Sequence, residues 1–311
     1  MGESMKKVII FTLSIILIPF FVVFIYKLYF VKEIELNYIE NRTIRVKRLG
    51  SNTIQIMPLE EYIVGVIAGE MPIYFNEEAM KAQAIASRSY AIKRIGYNMD
   101  MEYDVVDSVM NQVYLDDDYL KQAWKFNYKE NINKIRRCVN ATLDKVMYYD
   151  DEVIDALFFS TSNGYTEDAS VIFGLDLPYL KSVESFWDKD TSSAFVSSTS
   201  ISLKNFFEKL GLPYSDDLEI EVVSKSETGR VIKLKINDTL FSASDVYNKL
   251  GLRSYDFSFV KKDDKVIINT CGYGHGVGMS QYGALGMALD GYSYEEILKY
   301  YYTGVTIDNI K

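Results

Sequence analysis

Histidine and cysteine are scarce in this chain of 311 residues, and their scarcity limits the chemistry that the chain can carry. There is one histidine, His275, and there are two cysteines, Cys138 and Cys271. A zinc site built from such side chains needs about four ligands, so we expect no structural metal and no cofactor. Because the cysteines lie so far apart, we expect two unpaired thiols, with a single disulfide as the alternative.

The sequence also lacks an excess of basic charge. Its formal net charge is −9, and the first 31 residues contribute +2, which leaves −11 for the rest. This balance argues against nucleic acid as a partner and against broad attraction to anionic polymers. The content of 48% hydrophobic and 14% aromatic residues is typical of a globular protein with a sizeable core, and the length allows one large domain or two.

There is a single long apolar run. Val8 to Tyr26 is uncharged and, at 19 residues, approaches the roughly 20 that a helix needs to cross a bilayer. A cleavable signal peptide is the alternative, but residues 27–32 contain no small-residue cleavage site, so we favour an uncleaved anchor.

The flanking lysines suggest an orientation for this anchor. Lys6 and Lys7 precede the run, and basic residues before a first apolar span tend to stay in the cytoplasm. Lys27 and Lys32 on the other flank weaken that argument. We expect residues 1–31 to form a cytoplasmic tip and transmembrane anchor, and residues 32–311 to form an extracytoplasmic domain.

One acidic residue, Glu70, stands at an unusual point of a predicted helix. Pro58 suits the helix start and Pro72 prevents continuation beyond Met71, while apolar residues recur between them with helical spacing. A carboxylate in the last turn faces the negative end of the helix dipole, and apolar neighbours from Ile67 to Phe75 add a desolvation effect of the same sign. Glu70 is therefore a candidate general acid that stays protonated near neutral pH, with a solvated helix-end residue as the alternative.

The remaining patterns predict a mixed α+β fold, with helices and antiparallel hairpins around one cleft. Between Ser202 and Ile268 these patterns indicate supporting structure and no catalytic motif. The predicted hairpins are 43–47 with 53–57 and 219–225 with 231–236, the predicted strands include 145–149 and 153–160, and the predicted helices include 76–95, 131–142, 202–210 and 244–250.

Two polar segments could hold a ligand. Ser160 to Gly164 places hydroxyls and a glycine after an apolar strand, although a plain turn would read the same way. Cys271 to Ala284, here called the glycine loop, spaces four glycines around His275 and leads into a helix capped by Ser280. Such a loop can offer backbone N–H groups to a ligand; the alternative is a tight turn with a structural histidine.

Six blocks of the sequence together resemble the stage II sporulation protein D family. They follow in the family's order across nearly all of the chain after the anchor. The blocks are GEMP at 69–72, EAMKAQAIASRSYA at 78–91, QVY at 112–114, FFSTSNGYTE at 158–167, PYLKSV at 178–183 and GYGHGVGMSQYGA at 272–284.

The resemblance implies a role for each matching position. The family's catalytic acid falls on Glu70. The residues implied to surround the glycan are Arg88, Gln112, Tyr114, Ser160, Ser162, His275, Ser280 and Gln281. Two departures stand out: residues 106–111 lack the cysteine and histidine zinc ligands of some clostridial members, so we expect no metal there, and Asn163 replaces a glycine common in relatives.

The resemblance also implies an activity. It predicts a membrane-anchored lytic transglycosylase that cleaves peptide-stripped peptidoglycan strands during engulfment. We expect a partner amidase, a membrane protein of the engulfment complex, and a location in the mother-cell membrane facing the forespore. One acid suffices when the nucleophile is the sugar's own 6-hydroxyl, although Glu61 and Asp107 remain candidates for a second.

Two rival functions remain. One is a non-catalytic glycan binder that stimulates an amidase, because the wider family includes amidase enhancers. The other is a cysteine hydrolase that uses Cys271 and His275, which a glycine loop makes hard to arrange.

Overall fold

A computed structural model describes the backbone of residues 2–311 and, apart from residues 3, 4, 28 and 29, their side chains. The helices are α1 (Glu3–Tyr29), α2 (Leu59–Glu70), α3 (Glu77–Tyr97), α4 (Asp117–Trp124), α5 (Tyr128–Ala141), α6 (Ala169–Phe173), α7 (Asp188–Thr191), α8 (Leu203–Leu210), α9 (Ala243–Leu250), α10 (Gln281–Leu289) and α11 (Tyr294–Tyr301), with a 3₁₀ turn at Lys125–Asn127. The strands are β1 (Thr43–Arg48), β2 (Thr53–Pro58), β3 (Val105–Val106), β4 (Lys145–Tyr149), β5 (Glu152–Val153), β6 (Phe158–Phe159), β7 (Val196–Ser202), β8 (Ile220–Lys225), β9 (Val231–Ile236), β10 (Thr239–Ser242), β11 (Asp256–Lys262), β12 (Lys265–Cys271), β13 (Met279–Ser280) and β14 (Thr306–Asn309).

The chain divides into two compact units. The first comprises Met1–Tyr74 and Asn98–Leu143, and the second comprises Phe75–Tyr97 and Asp144–Lys311. Helices and several antiparallel sheets confirm the predicted α+β class. Two pairings differ from the expected antiparallel hairpins, because β1 pairs with β3 and β6 pairs with β13 in parallel.

In the first unit, a three-stranded sheet lies beside two packed helices. β1 and β2 form the predicted hairpin, with Ile44 opposite Met57, and Asn52 takes the positive φ of +55° that the turn requires. Ile44 and Val46 alternate into the core, as a half-buried strand should. α2 packs against α5, whose buried side chains include Ile132 and Ile135.

α1 carries the predicted apolar run. Within residues 2–311, Met5–Lys27 is the one helix long and apolar enough to cross a membrane, with a mean hydropathy of 3.1 and no part of it buried. Two hydroxyl groups of this helix form hydrogen bonds within it: those of Thr12 and Ser14 donate to the carbonyls of Val8 and Ile10, both at 2.9 Å. α1 is therefore a candidate membrane anchor.

In the second unit, α3 is the central helix. It contacts α10, α11 and β4, and its buried alanines, among them Ala82, Ala84 and Ala86, let those elements approach its backbone. The predicted strand 153–160 is wrong as one element. The β4 pairing ends at Val153, and pairing with β13 begins at Phe158. This change of partner divides the predicted strand into β5 and β6.

Residues 196–271 of this unit contribute two three-stranded antiparallel sheets, in the orders β10-β9-β8 and β11-β12-β7. α8 and α9 enclose a hydrophobic core with them, built around Phe206, Phe207 and Leu234. Ser202 and Ser242 cap the two helices, and Gly211 and Gly251 end them in the left-handed conformation.

Candidate active site

Glu70 is the last residue of α2, as the sequence predicts, and its side chain is half-buried. Met71 leaves the helix in an extended conformation, which the following Pro72 favours. The backbone N–H of Val113 donates to Oε1 of Glu70 at 2.7 Å. This hydrogen bond fixes the orientation of the carboxyl group.

Close contact between α2 and residues 113–115 makes that hydrogen bond possible. A Cβ at Gly69 would lie 2.7 Å from the carbonyl oxygen of Val113. A Cβ at Gly65, one turn earlier, would lie 2.3 Å from the ring of Tyr114. Glycine at both positions therefore lets the QVY block run against the helix that carries Glu70.

Gln112 and Tyr114 belong to one aromatic cluster of the first unit. Gln112 is fully buried and accepts a hydrogen bond at 3.1 Å from the hydroxyl of Tyr62, whose ring stacks on that of Tyr114 at 5.5 Å. The guanidinium of Arg48 covers the Tyr114 ring at 4.8 Å. Burial raises the pKa of Tyr114 to about 12, so its phenol stays protonated at neutral pH.

The other two acids considered in this unit are placed differently. Asp107 forms an ion pair with Arg48 at 2.7 Å and accepts the N–H of Leu49 at 2.8 Å, while Glu61 is exposed. Asp107 is therefore engaged in holding Arg48 over Tyr114.

In the second unit, the 160–164 segment and the glycine loop meet. Thr161 and Tyr273 exchange backbone hydrogen bonds at 3.0 and 2.7 Å. Ser280 caps α10, and its hydroxyl oxygen lies 3.3 Å from the carbonyl oxygen of Ser160. Ser160 is half-exposed, whereas Ser162 and Ser280 are fully buried.

A buried carboxylate that the sequence analysis missed organises these two segments. Asp188 accepts hydrogen bonds from the N–H of Ser162 at 2.8 Å, from the hydroxyl of Ser185 at 2.6 Å, and from the hydroxyl of Ser280. Ser185 is also hydrogen-bonded to the hydroxyl of Tyr301 at 2.7 Å. Burial raises the pKa of Asp188, against the effect of these donors. Within the DKD run at 188–190 the residue resembles a solvated acid, so the sequence carries no local signal of its burial.

His275 lies between aromatic rings, with centroids 5.8 Å from Phe159 and 5.4 Å from Phe173. Its Nδ1 accepts the N–H of Val277 at 3.1 Å. Desolvation lowers the pKa of His275 to about 4, and a hydrogen bond with the Phe158 backbone acts in the opposite direction. The imidazole is therefore neutral at physiological pH, with Nδ1 as its acceptor.

The geometry disfavours the cysteine hydrolase. Within residues 2–311, Cys138 and Cys271 form no disulfide, as expected. Burial raises the pKa of Cys271 to about 11, and the Nδ1 of His275 is already engaged by Val277. An activated thiol needs the opposite, a lowered pKa beside an available base.

Residues 202–268 contribute buried polar support to this region. Arg230 is buried, pairs with buried Glu167 at 3.7 Å, and donates to the carbonyl of Tyr165 at 2.8 Å. Gly276 has a φ of +85°, and a Cβ there would lie 2.7 Å from the Arg230 guanidinium. Asn163 joins the same support by donating to Asp256 at 2.9 Å.

Two further residues implied by the resemblance are buried in the second unit. Arg88 on α3 is fully buried and donates to the carbonyl of Lys145 at 3.0 Å, so it is not a surface residue. Gln281 is the first residue of α10 and is also buried.

The implied site residues fall into two groups, one in each unit. Glu70, Gln112 and Tyr114 share the first unit, and the other six share the second. The second group includes Ser160, Ser162, His275, Ser280 and Gln281 on two adjoining segments. That both groups line one cleft stays a prediction.

These features define an α+β protein with a helix-end carboxylate and a separate glycine loop supported by buried polar groups. The model of the SpoIID family, described as stage II sporulation protein, matches residues 47–149. Stage II sporulation protein D of Bacillus amyloliquefaciens is 40% identical over 270 residues, covering 85% of this chain and 78% of that protein. The corresponding protein of Bacillus subtilis (strain 168) is 39% identical with the same coverage. The chain belongs to the stage II sporulation protein D family.

A more distant relative bears a different name. An amidase enhancer of Bacillus subtilis (strain 168) is 30% identical over 301 residues, covering 78% of this chain and 40% of that protein.

Proposed function

We propose that this protein is a membrane-anchored lytic transglycosylase acting on peptide-stripped peptidoglycan strands during sporulation engulfment. The observation that carries the proposal is the helix-end carboxyl of Glu70, oriented by the N–H of Val113 at 2.7 Å in the block that resembles the family's catalytic motif. The membership of the family supports it. Among the acids considered in the first unit, Asp107 is engaged by Arg48, which favours a mechanism with one carboxyl group.

In this mechanism, Glu70 acts first as an acid and then as a base. It donates its proton to the glycosidic oxygen between N-acetylmuramic acid and N-acetylglucosamine as the bond from that oxygen to C1 breaks. The 6-hydroxyl oxygen of the same N-acetylmuramic acid attacks C1, and its proton passes to the Glu70 carboxylate. The products are a 1,6-anhydro end and a free 4-hydroxyl, and no water is consumed.

The polar residues implied by the resemblance would bind the glycan around this carboxyl group. Ser160, which is half-exposed, and the backbone of the glycine loop suit direct contact with sugar hydroxyls. Ser162 and Ser280 are bound to Asp188, so they suit positioning of the loops instead. The neutral His275 suits the same supporting role.

The proposed location follows from α1. Lys6 and Lys7 before the apolar run favour a cytoplasmic tip and an extracytoplasmic domain in the mother-cell membrane facing the forespore. The family further suggests a partner amidase and a membrane protein of the engulfment complex.

The test compares the full-length protein in detergent with its Glu70→Gln variant on peptide-free glycan strands. General acid catalysis contributes about 10²–10⁴-fold, so the variant should lose nearly all turnover while still binding glycan. Glu61→Gln, on the exposed face of the same helix, is the matched control and should keep wild-type turnover. A Glu70→Gln variant that kept more than about a tenth of the activity would remove Glu70 from the role of acid.

The second candidate is a non-catalytic glycan binder that stimulates an amidase. The relative named as an amidase enhancer is the observation that favours it. Under this function, Glu70→Gln would leave amidase stimulation intact, and neither protein would cleave glycan alone.

A further inference from the structure

The end of α1 is packed against the turn that joins α4 to α5. The ring of Phe24 meets that of Phe126 edge to face, with centroids 5.1 Å apart. Three residues later, Nζ of Lys27 donates to Oδ1 of Asn127 at 3.0 Å and pairs with Glu130 at 2.6 Å. The end of the apolar helix and this turn therefore form one packed structure within the first unit.

The surface of this turn exposes aromatic side chains beside a lysine, which is unusual for a surface that faces water. We call Tyr119, Trp124, Lys125 and Phe126 the interfacial corner. Tyr119 and Phe126 are 54% and 68% exposed, Lys125 is exposed, and Trp124 is half-buried against Tyr128, with ring centroids 6.4 Å apart. Lys125 has a φ of +48°, which non-glycine residues rarely adopt, and this conformation forms the tight turn. Tryptophan, tyrosine and lysine together are typical of membrane interfaces.

The segment between α1 and the sheet is held along its length. Asn133 on α5 accepts the N–H of Ile34 at 2.7 Å and donates to the carbonyl of Lys32 at 2.7 Å. Asn140, two turns further along α5, repeats the pattern with Asn37 and Glu35, both at 2.9 Å. These amide groups bind the backbone of residues 32–37 as a neighbouring strand would. The segment that connects α1 to the rest of the first unit is therefore fixed against α5.

The contacts with α1 indicate the depth of the interfacial corner in the membrane. Phe24 lies about 4.5 Å along the helix axis from Lys27, on the apolar side. Phe126, which contacts Phe24, therefore lies near the level where the apolar part of α1 ends. Aromatic side chains of interfacial segments lie at this boundary between headgroups and acyl chains.

We propose that the interfacial corner is a lipid-binding surface, with its aromatic side chains in the headgroup region of the membrane that α1 spans. The occupant is the phospholipid interface, because the corner is continuous with the membrane helix and exposes the side chains suited to that boundary. This inference rests on the proposed anchoring by α1. It implies that the first unit, which carries Glu70, is held at the membrane surface rather than suspended from it.

Tryptophan fluorescence tests the proposal directly, because the chain has two tryptophans, Trp124 and Trp187. The full-length protein is reconstituted into phosphatidylcholine and phosphatidylglycerol vesicles whose acyl chains are brominated near the headgroup end. We expect the emission of Trp124 in Trp187→Phe to be lower in these vesicles than in unbrominated ones, because bromine quenches a tryptophan that it contacts. The matched variant Trp124→Phe reports on Trp187, which is hydrogen-bonded to Asp290 at 2.7 Å in the second unit, and so gives the quenching of the tryptophan outside the interfacial corner. Should Trp187→Phe fail to fold, the difference between wild type and Trp124→Phe gives the same quantity.

Flotation of the vesicles in a density gradient tests the anchoring by α1 separately from the lipid-binding surface. Protein that fails to float with vesicles would contradict the anchoring itself. Protein that floats, but whose Trp124 emission is the same in brominated and unbrominated vesicles, would overturn the lipid-binding surface and leave the anchor standing.

Discussion

At the scale of single residues, Asp188 is the group on which most of the buried polar network of the second unit converges. Replacing it with asparagine keeps the shape but removes an acceptor from Ser162, Ser185 or Ser280. A buried donor left unpaired destabilises a protein by about 1–3 kcal/mol, so Asp188→Asn should lower the free energy of unfolding by that order. Denaturant unfolding measures it, and Asp190→Asn, exposed two residues along α7, is the control that should change little. Equal effects of the two substitutions would contradict the network's importance.

His275 predicts a particular response to acid. Its pKa is lowered to about 4 in the folded protein from the ordinary histidine value of 6.5, so the unfolded chain binds the proton first as the pH falls. The contribution to stability is complete above about pH 6.5 and is lost progressively toward pH 4, with a magnitude on the order of 1–3 kcal/mol because His275 as a residue is only partly buried. The raised pKa of Asp188 acts with the opposite sign, so the comparison must isolate the histidine.

The isolating variant is His275→Gln, whose side chain has no proton to gain in this range. Unfolding free energies of both proteins at pH 7 and pH 4.5 should differ by less in the variant than in the wild type. The same pH dependence in both proteins would show that the imidazole is not desolvated.

At the scale of elements, the approach of α2 to the QVY block depends on glycine. Gly65→Ala would place a methyl group 2.3 Å from the Tyr114 ring, so the ring or the helix must shift. Overpacking of this kind destabilises by about 1–3 kcal/mol, and the shift should also weaken the hold of Val113 on Glu70. Thermal unfolding and glycan cleavage measure the two effects.

The matched control is Gly96→Ala, since nothing lies within 4 Å of a Cβ at that helical position. It should stabilise the protein by roughly 0.5–1 kcal/mol, because alanine favours a helix more than glycine does. Destabilisation by Gly96→Ala comparable with that by Gly65→Ala would show that helix glycines matter here for reasons other than close approach.

Elements with local signals were predicted well. The hairpin of β1 and β2, the end of α2 at Glu70 and the cap at Ser280 depend on neighbouring residues, and the structure confirms them. β6 and β13 could not be predicted from the sequence as strands, because each has two residues and forms only by pairing with the other. Arg230 was missed for a similar reason: its partner Glu167 lies 63 residues earlier in the chain.

At the scale of the whole molecule, the chain passes between two units three times, since each unit is built from two separate stretches. Periodicity and capping describe single elements, so the sequence predicted one extracytoplasmic domain around one cleft and did not indicate this division. The residues implied by the resemblance are the part of the site that sequence reasoning could supply. Their support by Asp188, Arg48 and Arg230 depends on contacts across long separations, which spacing alone does not reveal.

The central claim, that Glu70 cleaves glycan by internal ring closure, is tested most directly by mass spectrometry of the products. The full-length protein in detergent is incubated with peptide-free glycan strands beside Glu70→Gln. We predict products ending in 1,6-anhydro-N-acetylmuramic acid with the wild type and none with the variant. Ordinary reducing ends would mean that water is the nucleophile and that a second catalytic group exists. No cleavage by either protein would contradict the enzymatic account and favour the glycan binder that stimulates an amidase.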